Sequence, residues 1–407
     1  MYSIRYNNWI CVLRDDHFFV RVKVKFGFIF GKYPIFREKK KGWIWALLLE
    51  LLTPVYVNKT IKNNHPNSKT YKNNEQVPLL ESYPYLIPKS YTDNTKYNQK
   101  FIPKEELFKT SVQILRSVDD WSAGISKTET SILNAYVDLI KNAKHYIYIE
   151  NQFFITTCHP NKDIIKNNIG KALADRIKIA HKNKQKFRVF IFLPLLPGFD
   201  RINAIKAVQY YNLRSIKFGE FSIYKELLKE GITDPSEYIT FHGMRNWSVL
   251  MGKLVQEIIY VHSKLMIVDD NYVLCGSANI NDRSLIGKRD SEVVALVTDE
   301  EFVDSVMSKK PFKAGKYALS LREKIFKLHL GVYFENPSQL NVVDCVSDEF
   351  YNMFKSISHQ NTLVYDEVFK CLPSDNILNF DDLKNYTKKS SLSKTDPNEG
   401  YKIPIQI

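Results

Sequence analysis

Cysteine is scarce in this 407-residue chain: Cys11, Cys158, Cys275, Cys345 and Cys371 are odd in number and widely spaced. That spacing excludes a disulfide framework, and no CxxC or Cys/His metal spacing occurs, so reduced thiols in a cytosolic setting are the expectation. Cys275, in an apolar run before Gly276, reads as a small core residue. No secretory leader is expected from these residues either, since charged residues interrupt every apolar run near the N-terminus. No stretch has the roughly 20 apolar residues a spanning helix needs. The most hydrophobic one, Trp43 to Val57, carries Glu50 and Pro54 and follows Arg37, Lys39, Lys40 and Lys41. It reads as a buried helix, with a membrane-surface helix as the functional alternative.

What is present is the composition of a soluble globular protein, 44% hydrophobic and 25% charged. The length allows one large or two ordinary domains with an ample core. The formal charge of +14 favours anionic partners, either acidic lipid surfaces or nucleic acid.

Residues 1–57 alternate apolar and basic residues, and 58–82 form a polar linker. Order is predicted from Tyr83 and patterning strengthens from Phe108. Val112 to Gly124 reads as a short strand ending in a polar loop. Ser126 and Glu129 fit a capping box, followed by a helix with Ile132, Tyr136, Leu139 and Ile140 on one face. Tyr146–Ile155 is a strand running into Glu150, Asn151 and Gln152. A helix around 164–182, a buried strand within 187–198, one or two helices in 202–229 and short strands at 236–243 and 291–299 follow. Asp299 to Asp304 reads as an acidic helix start, and the remainder to about Leu372 as helices with loops. Strand and helix in this alternation predict a parallel or mixed sheet with helices on its faces. In such sheets, polar residues just past a strand's C-terminal end commonly line the site, which makes Glu150, Asn151 and Gln152 candidates. Residues 374–407 form a polar tail.

The chemistry concentrates in Tyr260–Glu292, YVHSKLMIVDDNYVLCGSANINDRSLIGKRDSE. His262 and Lys264 are two apart, and on a strand they would share a face. An imidazole beside a fixed ammonium suits attack on a phosphodiester: the histidine bonds to phosphorus or moves a proton while the lysine holds a non-bridging oxygen. Asp269 falls at the Asp-Asp-Asn turn, where its plainer role is to fix the loop.

The spacing of His262, Lys264 and Asp269, followed by Gly276-Ser277-Ala278-Asn279, resembles the HxKxxxxD signature of the phospholipase D superfamily. The segments QILRSVDDWSAG, HYIYIENQFF, LPLLPGF and VFKCLP are similar to its eukaryotic, phosphatidylcholine-hydrolysing branch, over about Tyr83 to Pro373. The resemblance implies an α/β fold, an α/β/α sandwich lobe with a mixed sheet over 83–373, the C-terminal half of the usual catalytic region. It implies hydrolysis of phosphatidylcholine to phosphatidic acid and choline through a phosphohistidine, with no metal or other cofactor. Carried over, His262, Lys264, Asp269 and Glu292 are the catalytic set, with Glu292 orienting the histidine and Asp290 as the fallback. Ser277 and Asn279 join Glu150, Asn151, Gln152 and Arg283 as substrate-binding. Lys288 and Arg289 extend the basic loop of Arg283.

The family's mechanism joins two such motifs, and His262 is the only histidine here followed two positions on by lysine. A Gly-rich insertion is absent after LPLLPGF, and the lipid-binding modules and C-terminal segment of the family are also missing. The expectation is an incomplete, truncated enzyme that meets a second catalytic half, or a second copy of itself as a homodimer. The partner implied is a phospholipid membrane surface of phosphatidylcholine and anionic lipids rather than nucleic acid, with the chain cytoplasmic and peripheral. The alternatives are a non-catalytic phosphate-binding membrane protein and a single-motif homodimeric nuclease or lipid hydrolase.

Overall fold

The computed structural model describes residues 107–159, 164–332, 341–372 and 385. The N-terminal segment with Trp43–Val57, the linker, and the polar tail apart from Asn385 lie outside the described residues.

Eight strands form one mixed sheet: β1 (Thr110–Val118), β2 (Glu129–Thr130), β3 (Tyr146–Glu150), β4 (Arg188–Phe192), β5 (Ile239–His242), β8 (Leu265–Val268), β9 (Tyr272–Gly276) and β10 (Glu292–Asp299), in the order β2-β1-β10-β9-β8-β3-β4-β5. The β3–β4–β5 side is parallel and the rest antiparallel. Strands β3 and β4 are nearly continuous apolar runs, as strands covered on both faces must be. Two further antiparallel pairs stand apart from this sheet: β6 (Met244–Leu250) with β7 (Lys253–Ile259), and β11 (Phe302–Met307) with β12 (Lys310–Gly315).

One face is covered by α2 (Ser131–Asn142), α3 (Ile169–Lys182) and α5 (Ile223–Lys229), whose apolar stripes meet Ile147, Ile149, Val189, Ile191 and Met266. The α2 stripe is Ile132, Tyr136, Leu139 and Ile140, the helical spacing read from the sequence. The other face is covered by α7 (Lys316–His329) and α8 (Asp348–Phe369), which meet Tyr146, Tyr148, Phe190, Leu265 and Ile267. Successive residues of β3 and β8 thus enter opposite cores, as the two-residue period requires. Shorter helices complete the chain: α1 (Asp120–Ala123), α4 (Ile202–Leu213) running into a π-helical turn at Arg214–Phe218, a 3-10 turn at Pro235–Glu237, and α6 (Asp282–Leu285).

A fully buried ion pair ties α7 to the β8–β9 turn: Arg322 Nη2 lies 2.8 Å from Asp270, which also accepts from the Tyr146 hydroxyl at 2.6 Å. Removing one partner would strand a buried charge, which costs about 3–5 kcal/mol.

Several sequence expectations give way. The capping box forms at the start of α1, between its N-cap Asp119 and Ser122, and α2 starts after Thr130 with no side-chain cap. Asp299–Asp304 does not open a helix; β11 begins at Phe302 and pairs with β12. Cys275 is exposed rather than in the core. The predicted terminal helix at 364–373 is the end of the longer α8, closed by Lys370 at φ +46°.

Candidate active site

Glu150 pairs with Leu265, Leu265 with Cys275, and Cys275 with Ala295. The end of β3, the start of β8, the end of β9 and the start of β10 therefore share one edge of the sheet. The His262 segment, the Gly276–Asn279 turn and Glu292 meet there because the antiparallel register brings them there. Gly276 makes the close passage between β9 and β10: a Cβ would stand 2.4 Å from the Val293 carbonyl oxygen.

His262 and Lys264 precede β8 rather than lie within it. Lys264 is 7% exposed, and its ammonium donates to the His262 carbonyl at 2.5 Å and to Gln152 Oε1 at 3.2 Å. Burial pushes the Lys264 amine down to about 8, against the pull of the Glu292 carboxylate. The Gln152 amide in turn donates to the Tyr260 hydroxyl at 2.6 Å, and the Tyr260 ring lies 5.8 Å from that of His262. Gly198 leaves room for this tyrosine, since a Cβ there would stand 2.8 Å from its ring. Partial burial and the nearby Lys264 charge hold the His262 imidazole below its ordinary value of 6.5.

Glu292 is buried, and burial raises its carboxyl despite hydrogen bonds from two serines. The Ser277 hydroxyl donates to one oxygen and the Ser284 hydroxyl to the other, the latter at 2.6 Å. The sequence reading had Glu292 orient the histidine; here its oxygens engage these hydroxyls, no hydrogen bond joins it to His262, and it acts on Lys264 through charge. Asn279 flanks the site with a buried Oδ1 that has no hydrogen-bond partner.

Other sequence candidates sit elsewhere. Asp269 stands at the far end of β8, at φ +51°, where its carboxylate accepts from the backbone N–H groups of Lys144, His145 and Tyr146 at 2.6–2.8 Å. Asn151 is fully buried and its Oδ1 accepts from Phe153 and Ile280 N–H, so it pins the turn behind Asn279. Arg283 is held by both oxygens of Asp290 at 3.0 Å.

Glu150 turns to the opposite face of the sheet from Lys264. The Tyr148 hydroxyl donates to it at 2.5 Å, and the Ser263 hydroxyl donates to its other oxygen. The His329 ring lies 2.7 Å from the Tyr148 hydroxyl through Nε2, and with that hydroxyl donating to Glu150 the tautomer that fits carries its proton on Nε2. Its Nδ1 is buried without a partner, and burial lowers His329 to about 3, so the ring stays neutral. Tyr260, Tyr148, His329 and Ser284 were not singled out from the sequence. Ser263 alone carried a signal, since alternation within His-Ser-Lys sends it to the face opposite its neighbours.

The arrangement offers an imidazole, an ammonium and a carboxamide at one edge of the sheet. Such a set can hold the oxygens of a tetrahedral anion and move one proton. Among the described residues, no helix is long and apolar enough to cross a membrane.

A family model described as "Phospholipase D" matches residues 91–257 and 248–367. The chain belongs to the phospholipase D family. It is 46% identical to Phospholipase D1 of Homo sapiens over 323 residues, covering 78% of this chain and 29% of that protein. To Phospholipase D2 of Bos taurus it is 40% identical over 336 residues, covering 81% of this chain and 35% of that protein. The chain thus spans about a third of the length of these phospholipase D relatives. Among solved structures, Nuc from Salmonella typhimurium, a phospholipase D family member, matches at 18% identity and a TM-score of 0.27, covering 53% of this chain and 90% of that one.

Proposed function

We propose that this chain supplies one half of a phospholipase D active site, which hydrolyses phosphatidylcholine to phosphatidic acid and choline. The observation that carries the reading is Lys264: a buried ammonium at one sheet edge that donates to the His262 carbonyl and to Gln152, with no carboxylate among the described residues in an ion pair with it, is a setting that suits an anion. The phosphodiester's non-bridging oxygens would fill it, bound by Lys264 and Asn279, with Ser277 and Glu292 fixing the turn. The similarity to Phospholipase D1 and Phospholipase D2 supports the reaction class.

In this reading a histidine from outside these 407 residues attacks phosphorus and forms an N–P bond. The choline oxygen leaves with a proton from His262. His262 then takes a proton from water, whose oxygen attacks phosphorus, breaks the N–P bond and releases phosphatidic acid. A lone His-x-Lys in the chain favours one further arrangement, in which a second copy provides the attacking histidine across a two-fold axis.

The test is choline release from phosphatidylcholine vesicles, and single-stranded DNA cleavage, by the chain and its His262→Ala variant across protein concentration. Choline release that needs His262 is expected, and a steep rise with concentration identifies the paired form. DNA cleavage without lipid turnover replaces this reading with a nuclease. Absence of His262-dependent turnover on either substrate leaves a phosphate-binding protein, which phosphate titration of the wild-type chain against Lys264→Met would detect.

A further inference from the structure

The β6–β7 hairpin is unusual in what it shows to solvent. Its turn residues, Met251 and Gly252, lie at φ +51° and +74°. Two positive φ values in a two-residue loop are the turn that Asn-Gly or Asp-Gly ordinarily makes. A methionine there strains the backbone, and packing gives nothing back, because Met251 is 95% exposed. Val249, Leu250 and Val255 beside it are also exposed, so four apolar side chains crown the tip. A run of this kind is a surface built to be covered.

The hairpin is also braced. Trp247 and Leu254 pack on Tyr365, Val368 and Phe369 of α8, and the Arg245 guanidinium sits 5.4 Å over the Tyr365 ring. Seven residues per strand make it about 20 Å long. Its second strand ends at Ile259, and the next residue is Tyr260, which is tied to Gln152 and, through it, to Lys264.

We propose that the tip of this hairpin, Val249 to Lys253, inserts into an anionic phospholipid surface. Within the crown, Val249 to Val255, the only charge is Lys253, and the hairpin's other charges, Arg245 and Glu257, stand further down its strands, so the crown is apolar with a cation beside it and no carboxylate at its tip. Its exposed apolar area is on the order of 400 Å², well short of the roughly 800 Å² per partner of a stable protein–protein interface. A bilayer demands no such area, since each inserted side chain adds its own transfer free energy. The inference deepens the proposed function by naming where the chain meets lipid, and it rests on that reading for the choice of lipid over another anionic surface.

The experiment is flotation of the full chain with vesicles of phosphatidylcholine containing phosphatidic acid. The wild type and its His262→Ala variant should float alike, since flotation needs no turnover, so loss of catalysis and loss of docking are read separately. Leu250→Asp/Met251→Asp should lower the vesicle partition coefficient by about tenfold or more. Val306→Asp, on the other two-stranded pair, should leave it unchanged. A Met251→Trp variant should gain emission that brominated phosphatidylcholine quenches, a readout independent of the double variant's folding. Equal flotation of the wild type and the double variant, or no added quenching at position 251, would overturn the proposal. So would a change in oligomeric state on tip substitution with vesicle binding intact, which would assign the tip to protein contact.

Discussion

Lys264 is held in its charged state against the preference of its surroundings, and replacing it should raise stability while removing anion affinity. Burial lowers its amine from 10.5 to about 8. At about 1.4 kcal/mol per pH unit, keeping the charged form at neutral pH costs the fold about 3 kcal/mol. Lys264→Met keeps the unbranched stem and removes the charge. It also removes the bonds to the His262 carbonyl and Gln152, worth about 1 kcal/mol each, so the variant should be about 1 kcal/mol more stable at pH 7. The sign of the pH dependence is fixed by which state binds the proton. Between pH 8 and 10.5 the unfolded chain keeps the lysine proton and the folded chain gives it up, so wild-type stability should gain about 3 kcal/mol across that window relative to the variant. Chemical denaturation of both proteins from pH 7 to 10.5 reads this difference directly. The variant should also lose inorganic phosphate binding, and its His262 should titrate closer to 6.5 by NMR, because the neighbouring cation is gone. Parallel stability curves across the window would refute the reasoning.

Asp269→Ala removes the acceptor for three backbone N–H groups and should cost about 3 kcal/mol in urea unfolding, with phosphate binding at Lys264 unchanged because the two stand at opposite ends of β8. Glu150 and Ser263 should behave as a coupled pair: a double-mutant cycle of Glu150→Ala and Ser263→Ala, read on phosphate affinity, should show about 1 kcal/mol of interaction, and Glu150→Gln should retain most wild-type affinity. Additive effects would assign Glu150 to the fold alone.

The central strands were legible because β3 and β4 are unbroken apolar runs, and the sheet's mixed character followed from their alternation with amphipathic helices. The β11–β12 pair was not, because Asp299, Glu300, Glu301 and Asp304 imitate the acidic first turn of a helix. Its turn also hid: Ser308 and Lys309 adopt φ of +54° and +62° without the glycine or asparagine that usually marks such a turn. At the site, Glu150, Asn151 and Gln152 looked like one polar triplet facing a ligand. A strand end cannot present three successive residues to one face. Gln152 reaches Lys264, Asn151 is buried in the backbone of the turn, and Glu150 looks into the opposite core.

The same geometry explains the spacing of His262, Lys264 and Asp269 although the aspartate stands far from the imidazole. Between Lys264 and Asp269 lie the four residues of β8, Leu265 to Val268, which cross the sheet from the site's edge to the opposite one. Asp269 anchors the strand's far end on the chain entering β3, and the register of β8 against β3 then decides which face Lys264 meets. One residue fewer in β8 would set the Ser263 hydroxyl in the place of Lys264, and one more would move the ammonium into the place of Ser263, against Glu150. The spacing therefore encodes the length and phase of a strand, with the aspartate marking its far end and taking no part in the chemistry at its near end.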